Sequence, residues 1–160
     1  ENFFLGKYEH PDGGKLTFAP SIPGHVEHRQ LTNNSLNIMA GGFLACTPGV
    51  NIKAKFGGLK ALFSGEGAFL LEASGSGDLF FNSFGGVVEK QINGEFIVDT
   101  GHVVAFDPSL DYKITGMGSF KSTMLSGEGM VMRFSGNGKL YLQTRNFSSI
   151  ASWLTPRLLG

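Results

Sequence analysis

The sequence predicts an all-β fold, a β-sandwich or short barrel-like double sheet built from internally repeated hairpins. Three observations carry this reading. Glycine supplies 24 of 160 residues, about twice its usual share of roughly 7%. These glycines are scattered between short runs rich in Phe, Val, Leu and Ile, the punctuation of many short strands rather than a flexible linker. Ser64-Gly65-Glu66-Gly67 recurs as Ser126-Gly127-Glu128-Gly129, 62 residues later. Apolar and polar side chains also alternate with period two on both sides of Asn137-Gly138, the pattern of a hairpin with a type I′ turn.

In chain order, Glu1-Asn2-Phe3-Phe4-Leu5 leads to Asp12-Gly13-Gly14-Lys15-Leu16-Thr17-Phe18, a weak first copy of the hairpin. Gly41-Gly42 and Thr100-Gly101 turn two further hairpins. The segment Gly41 to Val50 lies over Gly101 to Leu110, and both end strands at a proline, in Thr47-Pro48-Gly49 and Asp107-Pro108-Ser109. Proline cannot donate to a central ladder. Ala68 to Leu79 then lies over Met130 to Leu140, which places hairpin tips at Ser74-Gly75-Ser76-Gly77 and at Asn137-Gly138. The count is about two and a half to three copies of one unit. Residues 1–146 form the repeated domain, in segments 1–40, 41–100 and 101–146. Residues 147–160 form an apolar tail in which Ile150, Trp153, Leu154 and Leu158 share a helical face, with Pro156 interrupting or ending it. The chain starts at Glu1, without Met and inside an expected strand, which predicts a longer parent protein.

A chain of 160 residues buries about 68–70% of its unfolded surface and needs no metal or disulfide for stability. Its 13 basic and 13 acidic residues cancel, against the basic excess of a nucleic-acid binder. The lone cysteine, Cys46, reads as a small buried hydrophobe in a reducing compartment. Neither a transmembrane run nor a signal-peptide pattern is visible, so the expected setting is the cytoplasm.

The run Phe63-Ser64-Gly65-Glu66-Gly67, the segment Val98 to Asp107, and Ser126-Gly127-Glu128-Gly129 through Asn146 resemble the altered-inheritance-of-mitochondria protein 24 family. That family's domain is described as similar to the tryptophan RNA-binding attenuator protein. The resemblance covers nearly the whole chain. It implies a double-stranded β-helix variant with three structural repeats, and members longer at the N-terminus, so that half of the first repeat falls outside this chain. It brings little function: bacterial members are largely uncharacterised, and the yeast namesake is associated with mitochondrial inner-membrane organisation. The attenuator label is a fold analogy and implies no RNA binding.

The constellations that might carry chemistry fall short residue by residue. In His25-Val26-Glu27-His28 the spacing of three puts the histidines on opposite strand faces, unlike a cupin metal site; His10 and His102 read as turn or exposed residues. Asp99-Thr100-Gly101 mimics an aspartic-protease triplet, but the equivalent turn Ala40-Gly41-Gly42 has no acid to share a proton. Gly75-Ser76-Gly77 lacks the third glycine and following helix of a dinucleotide site. Arg133, Lys139, Tyr141 and Arg145 form a possible basic-aromatic face for single-stranded nucleic acid, more simply a solvated hairpin face.

The sequence therefore predicts a non-enzymatic, homo-oligomeric binding or assembly module without catalytic, cofactor or metal residues. A small-molecule or single-stranded RNA binder and a metal-dependent cupin-like enzyme are the alternatives. Gly65, Glu66, Gly67, Gly127, Glu128, Gly129, Asn137 and Gly138 are expected as structural turn residues. Trp153 and Leu154 are the expected interaction surface.

Overall fold

The structure, a computed structural model, describes residues 5–56, 69–116 and 130–158. It is mostly β. Its strands are β1 (Val26–Met39), β2 (Phe43–Cys46), β3 (Val50–Phe56), β4 (Phe69–Asn82), β5 (Val87–Asp99), β6 (Val103–Phe106), β7 (Leu110–Gly116) and β8 (Met130–Gln143), followed by helix α1 (Phe147–Leu158). Antiparallel pairing joins all eight strands into one sheet, in the order β2-β4-β1-β6-β8-β5, with β3 also on β4 and β7 also on β8.

Elements β1 to β4 and β5 to β8 follow one another in the same order and make the same pairings. Long β1 lies along the whole of β4, and long β5 along the whole of β8. The other edge of β4 is shared: β3 takes Phe69 to Gly75, and β2 takes Leu79 to Phe81. On β8, β7 takes Met130 to Gly136 and β6 takes Leu140 to Leu142. The register slips at the same place in both short pairings, next to Leu44 and next to Val104.

Period-two burial explains the strands. Leu71, Ala73, Leu79 and Phe81 of β4 are buried, as are Met132, Phe134 and Leu140 of β8. Two core clusters result, and each crosses between the halves. Leu31, Leu36, Ile38 and Phe81 pack with Val104, Ala105 and Tyr141, while Phe106, Leu110 and Phe134 pack with Leu70. Each fully buried Leu or Phe contributes about 1.5–3 kcal/mol, so the shared clusters bind the halves together.

Two expected hairpins do not form. Ser74-Gly75-Ser76-Gly77 and Gly136-Asn137-Gly138 run straight through the middle of β4 and β8. A type I′ turn needs positive φ at both central residues, and neither Asn137 nor Gly138 has it. The glycines serve a close approach instead. At this level the partner on the shared edge changes, and the turn joining the two short strands presses on the long one. Ser76 N–H donates to the Gly49 carbonyl at 3.1 Å, and the Ser109 hydroxyl donates to the Asn137 carbonyl at 2.8 Å. Gly75 and Gly136 adopt φ of 120° and 121°. A Cβ on Gly136 would stand 2.9 Å from the Ser109 carbonyl oxygen, and one on Gly75 would collide with the Gly49 carbonyl.

The first arm of the expected hairpin around Gly13 falls mostly on residues 1–4, outside the described residues, and its second arm is not a strand. Residues 5–20 contain a turn at Pro11–Asp12 and no strand, with Leu16 and Phe18 exposed. Two short strands without a third neighbour are at best marginally stable in water. Ala40–Gly42 and Thr100–His102 do turn the chain, but as 3-10 turns that send β2 to β4 and β6 to β8 rather than back along the strands they follow. Chain reversals occur at Pro48–Gly49 and Pro108–Ser109, where the prolines end strands. Gly65, Glu66, Gly67, Gly127, Glu128 and Gly129 lie outside the described residues.

Candidate functional site

The halves meet where β1 pairs with β6, Asn37 opposite Phe106 and Ile38 opposite Ala105. Beside this seam lies the densest polar cluster among the described residues. Arg29 projects from β1 and its Nη1 donates to the Tyr141 hydroxyl at 2.8 Å. Its Nη2 stands 3.0 Å from Asp107 Oδ1, an ion pair too far off the donor axis to be a hydrogen bond. Asp107 Oδ2 accepts from the Lys139 backbone N–H at 2.9 Å, which fixes the carboxylate at the turn between β6 and β7. Lys139 Nζ pairs with Glu89 Oε1 at 2.7 Å.

The electrostatics follow from these contacts. Burial pushes the Tyr141 phenol above its ordinary value, and the neighbouring Arg29 guanidinium pulls the other way. The Glu89 carboxylate, by hydrogen bond and by charge, raises Lys139. Every charged group of the cluster is engaged with another or with backbone. Such a cluster joins strands and fixes their register.

The residues singled out in the sequence are placed apart. His28 Nε2 meets Asp78 Oδ1 at 2.8 Å and its ring stacks on Phe80. His25 pairs with Glu27 at 3.4 Å, and His102 Nδ1 meets the Gln143 carbonyl at 2.8 Å. Among the described residues no three His, Cys, Asp or Glu side chains come together as a metal site. Asp99 is spent locally, accepting from Gly101 N–H at 2.7 Å as the cap of the 3-10 turn, while the Thr100 hydroxyl donates to the Met130 carbonyl. The basic-aromatic set, the alternative to a solvated hairpin face, does not stand free as a group. Tyr141 is buried, Lys139 and Arg133 are paired with Glu89 and Glu95, and Arg145 lies over the Phe84 ring. Cys46 is half-buried rather than buried, with its thiol raised by desolvation.

Among the described residues, helix α1 carries five of the exposed large hydrophobic side chains. The Asn146 side chain accepts from Ser148 N–H at 2.9 Å, which starts the helix as an N-cap does. The helix runs to Leu158, past Pro156, which sits in the last turn and costs one backbone bond there. No residue of α1 is buried. Phe147, Ile150, Leu154 and Leu158 recur at helical spacing and all are exposed, as is Trp153 at 59%. Arg157 covers part of the Trp153 ring, 4.1 Å from its centroid.

Sequence reading missed Arg29, Glu89 and Asp107 as a group. The signal that could have found them is the shared register: His28 and Asp78 in the first half stand where Glu89 and Lys139 stand in the second.

A family model described as mitochondrial biogenesis AIM24 matches residues 1–145. An uncharacterised protein of Streptococcus pyogenes serotype M6 is 32% identical over 157 residues, covering 96% of this chain and 63% of the relative. The X-ray crystal structure of a Streptococcus pyogenes protein aligns with a TM-score of 0.77 and 31% identity, covering 87% of this chain and 62% of that one. The chain thus spans just under two-thirds of the length of both.

Proposed function

Because the chain belongs to the mitochondrial biogenesis AIM24 family, we propose that it is a non-enzymatic, homo-oligomeric module that works by binding through its surfaces. The observation that carries this reading is the uncovered apolar stripe of α1, with Trp153 and Leu154 at its centre. Exposed apolar patches of this kind mark interaction sites. We read β1–β4 and β5–β8 as two copies of one unit of a double-stranded β-helix variant, supported by their common order, pairings and register slips. A bacterial cytoplasmic setting fits the lone thiol. No helix of the described residues is long and apolar enough to cross a membrane.

Light scattering of the chain, and of the chain lacking residues 147–160, tests the reading. The expected result is a mass above the monomer, reduced by the deletion. A clean monomer at high concentration overturns the oligomeric reading. An unchanged mass after deletion moves the contact from α1 to the sheet.

A further inference from the structure

The ends of the sheet are the outer edges of β2 and β5, and the register of the two halves says what each is built to meet. Inside the chain, β1 offers Asn37 and Ile38 to Phe106 and Ala105 of β6. The residues at the same register in the other half are Ile97 and Val98 on β5, and Cys46 and Ala45 on β2. Ile97 and Val98 lie opposite Arg133 and Met132, as Asn37 and Ile38 lie opposite Glu72 and Leu71. Ala45 and Cys46 lie opposite Phe80 and Leu79, as Ala105 and Phe106 lie opposite Tyr141 and Leu140. Among the described residues neither outer edge has a strand on it.

Burial records the difference. All four residues of β6 are buried, and none of the four of β2 is. Asn37 is 4% exposed, and Ile97 at its register is 50% exposed. Each edge thus has the sequence of a seam strand and lacks the seam.

We infer that a second copy of this chain covers these edges: β5 of one copy pairs with β2 of the next, Ile97 opposite Cys46 and Val98 opposite Ala45. Three arguments select a second copy over another partner. The complementary edge is already present on every chain. The pairing continues an interface the chain makes internally, with the same antiparallel sense. The charges also agree. Lys90 stands at the register of Arg29, Asp78 at that of Lys139 and Thr47 at that of Asp107, so the new seam lacks the internal Arg29–Asp107 pair and instead brings a lysine toward the Asp78 carboxylate. A head-to-tail contact of this kind is heterologous, so copies close into a ring or extend as a filament. This inference rests on the oligomeric reading above and adds the edge and the register.

The test is the Ile97→Cys variant of the 160-residue chain, oxidised under mild conditions and analysed by non-reducing electrophoresis and peptide mass spectrometry. Directly opposed residues of an antiparallel pair have Cα atoms about 4.5–5.5 Å apart, within disulfide reach. The expected product is a disulfide between Cys46 of one chain and the thiol introduced at position 97 of another. Far less cross-linking is expected in Val88→Cys, an exposed position on the same strand outside the register. A disulfide joining these two positions within one chain overturns the inference, because the edges then close on each other. Equal cross-linking at 88 and 97, or none at 97, overturns the register; if light scattering still shows an oligomer, the broader reading survives. Lys90→Glu, which leaves both edges intact, is expected to weaken association roughly two- to five-fold. An unchanged association constant overturns the charge assignment.

Discussion

Lys139 and Glu89 form a 2.7 Å ion pair across β8 and β5 at the register that Asp78 and His28 fill, at 2.8 Å, across β4 and β1. In one pair the carboxylate sits on β5, in the other on β4. The position thus takes a carboxylate facing a nitrogen group on the neighbouring strand, whichever strand carries which.

Glu89→Gln tests this. The Lys139 pKa is raised above the ordinary 10.5, first by its hydrogen bond to Glu89. A raised lysine contributes stability fully present below its unfolded value and lost as pH rises through the folded one. The variant should show a small loss of stability at neutral pH, a Lys139 titration by NMR shifted back toward 10.5, and a flatter alkaline limb. The double exchange Glu89→Lys with Lys139→Glu should restore stability. Failure of the exchange to restore it would show that the second strand prefers one sign.

Much of the strand content was legible because period-two burial is a local signal. Met132, Phe134 and Leu140 sit inside as their alternation predicts, and the prolines at 48 and 108 end strands as the missing N–H requires. The glycine motifs were misread for a physical reason. A tight turn and a strand pressed by a neighbouring backbone both select residues without a side chain. Local sequence cannot separate the two, because the pressing group, the turn at Ser109, is 27 residues from Gly136. The Arg29–Asp107–Tyr141 cluster was illegible for the same reason, being assembled from three strand systems far apart in sequence. The helical spacing of Ile150, Trp153, Leu154 and Leu158 was legible in the sequence, but the helix runs past Pro156, and its exposure depends on what packs against it, which spacing does not record.

Gly136 and Gly94 separate the two costs of a side chain. Both have positive φ, 121° and 103°. A Cβ on Gly136 meets the Ser109 carbonyl at 2.9 Å, whereas one on Gly94 meets nothing within 4 Å. Gly94→Ala should lose about 1–2 kcal/mol from backbone strain, and Gly136→Ala more, up to about 3 kcal/mol. Urea unfolding measures both. Equal losses would mean that close approach is not what selects glycine in the middle of β8.

Tyr141→Phe keeps the ring, which packs edge-on against Phe81 at 5.3 Å, and removes the acceptor for Arg29. The expected loss is about 1 kcal/mol at neutral pH. Burial raises the phenol above 10.0, so the unfolded chain releases this proton first. Stability of the parent chain should fall as pH climbs from 10 through the raised value, and the Phe variant should lack that part of the slope. Denaturation midpoints at pH 9 and pH 11 give the comparison; parallel slopes would count against a raised phenol.

Asp107 performs two tasks, and the other half of the chain offers a residue that performs one. Its Oδ2 accepts from Lys139 N–H at 2.9 Å, while its Oδ1 pairs with Arg29 at 3.0 Å. At the same register Thr47 accepts from Asp78 N–H at 2.7 Å through its hydroxyl, which carries no charge to pair with a cation. Asp107→Thr should therefore keep the turn and lose only the ion pair. Asp107→Ala should lose both, leaving a backbone donor without its side-chain acceptor and a half-buried guanidinium without its carboxylate. The alanine loss is about 2–3 kcal/mol and the threonine loss about 1 kcal/mol, since hydrogen bonds to charged groups exceed neutral ones. Amide exchange at Lys139 distinguishes the tasks: protection should persist in the threonine variant and fall in the alanine variant. If the two variants lose equal stability and equal protection, the carboxylate acts only through Arg29, and the turn closes without it.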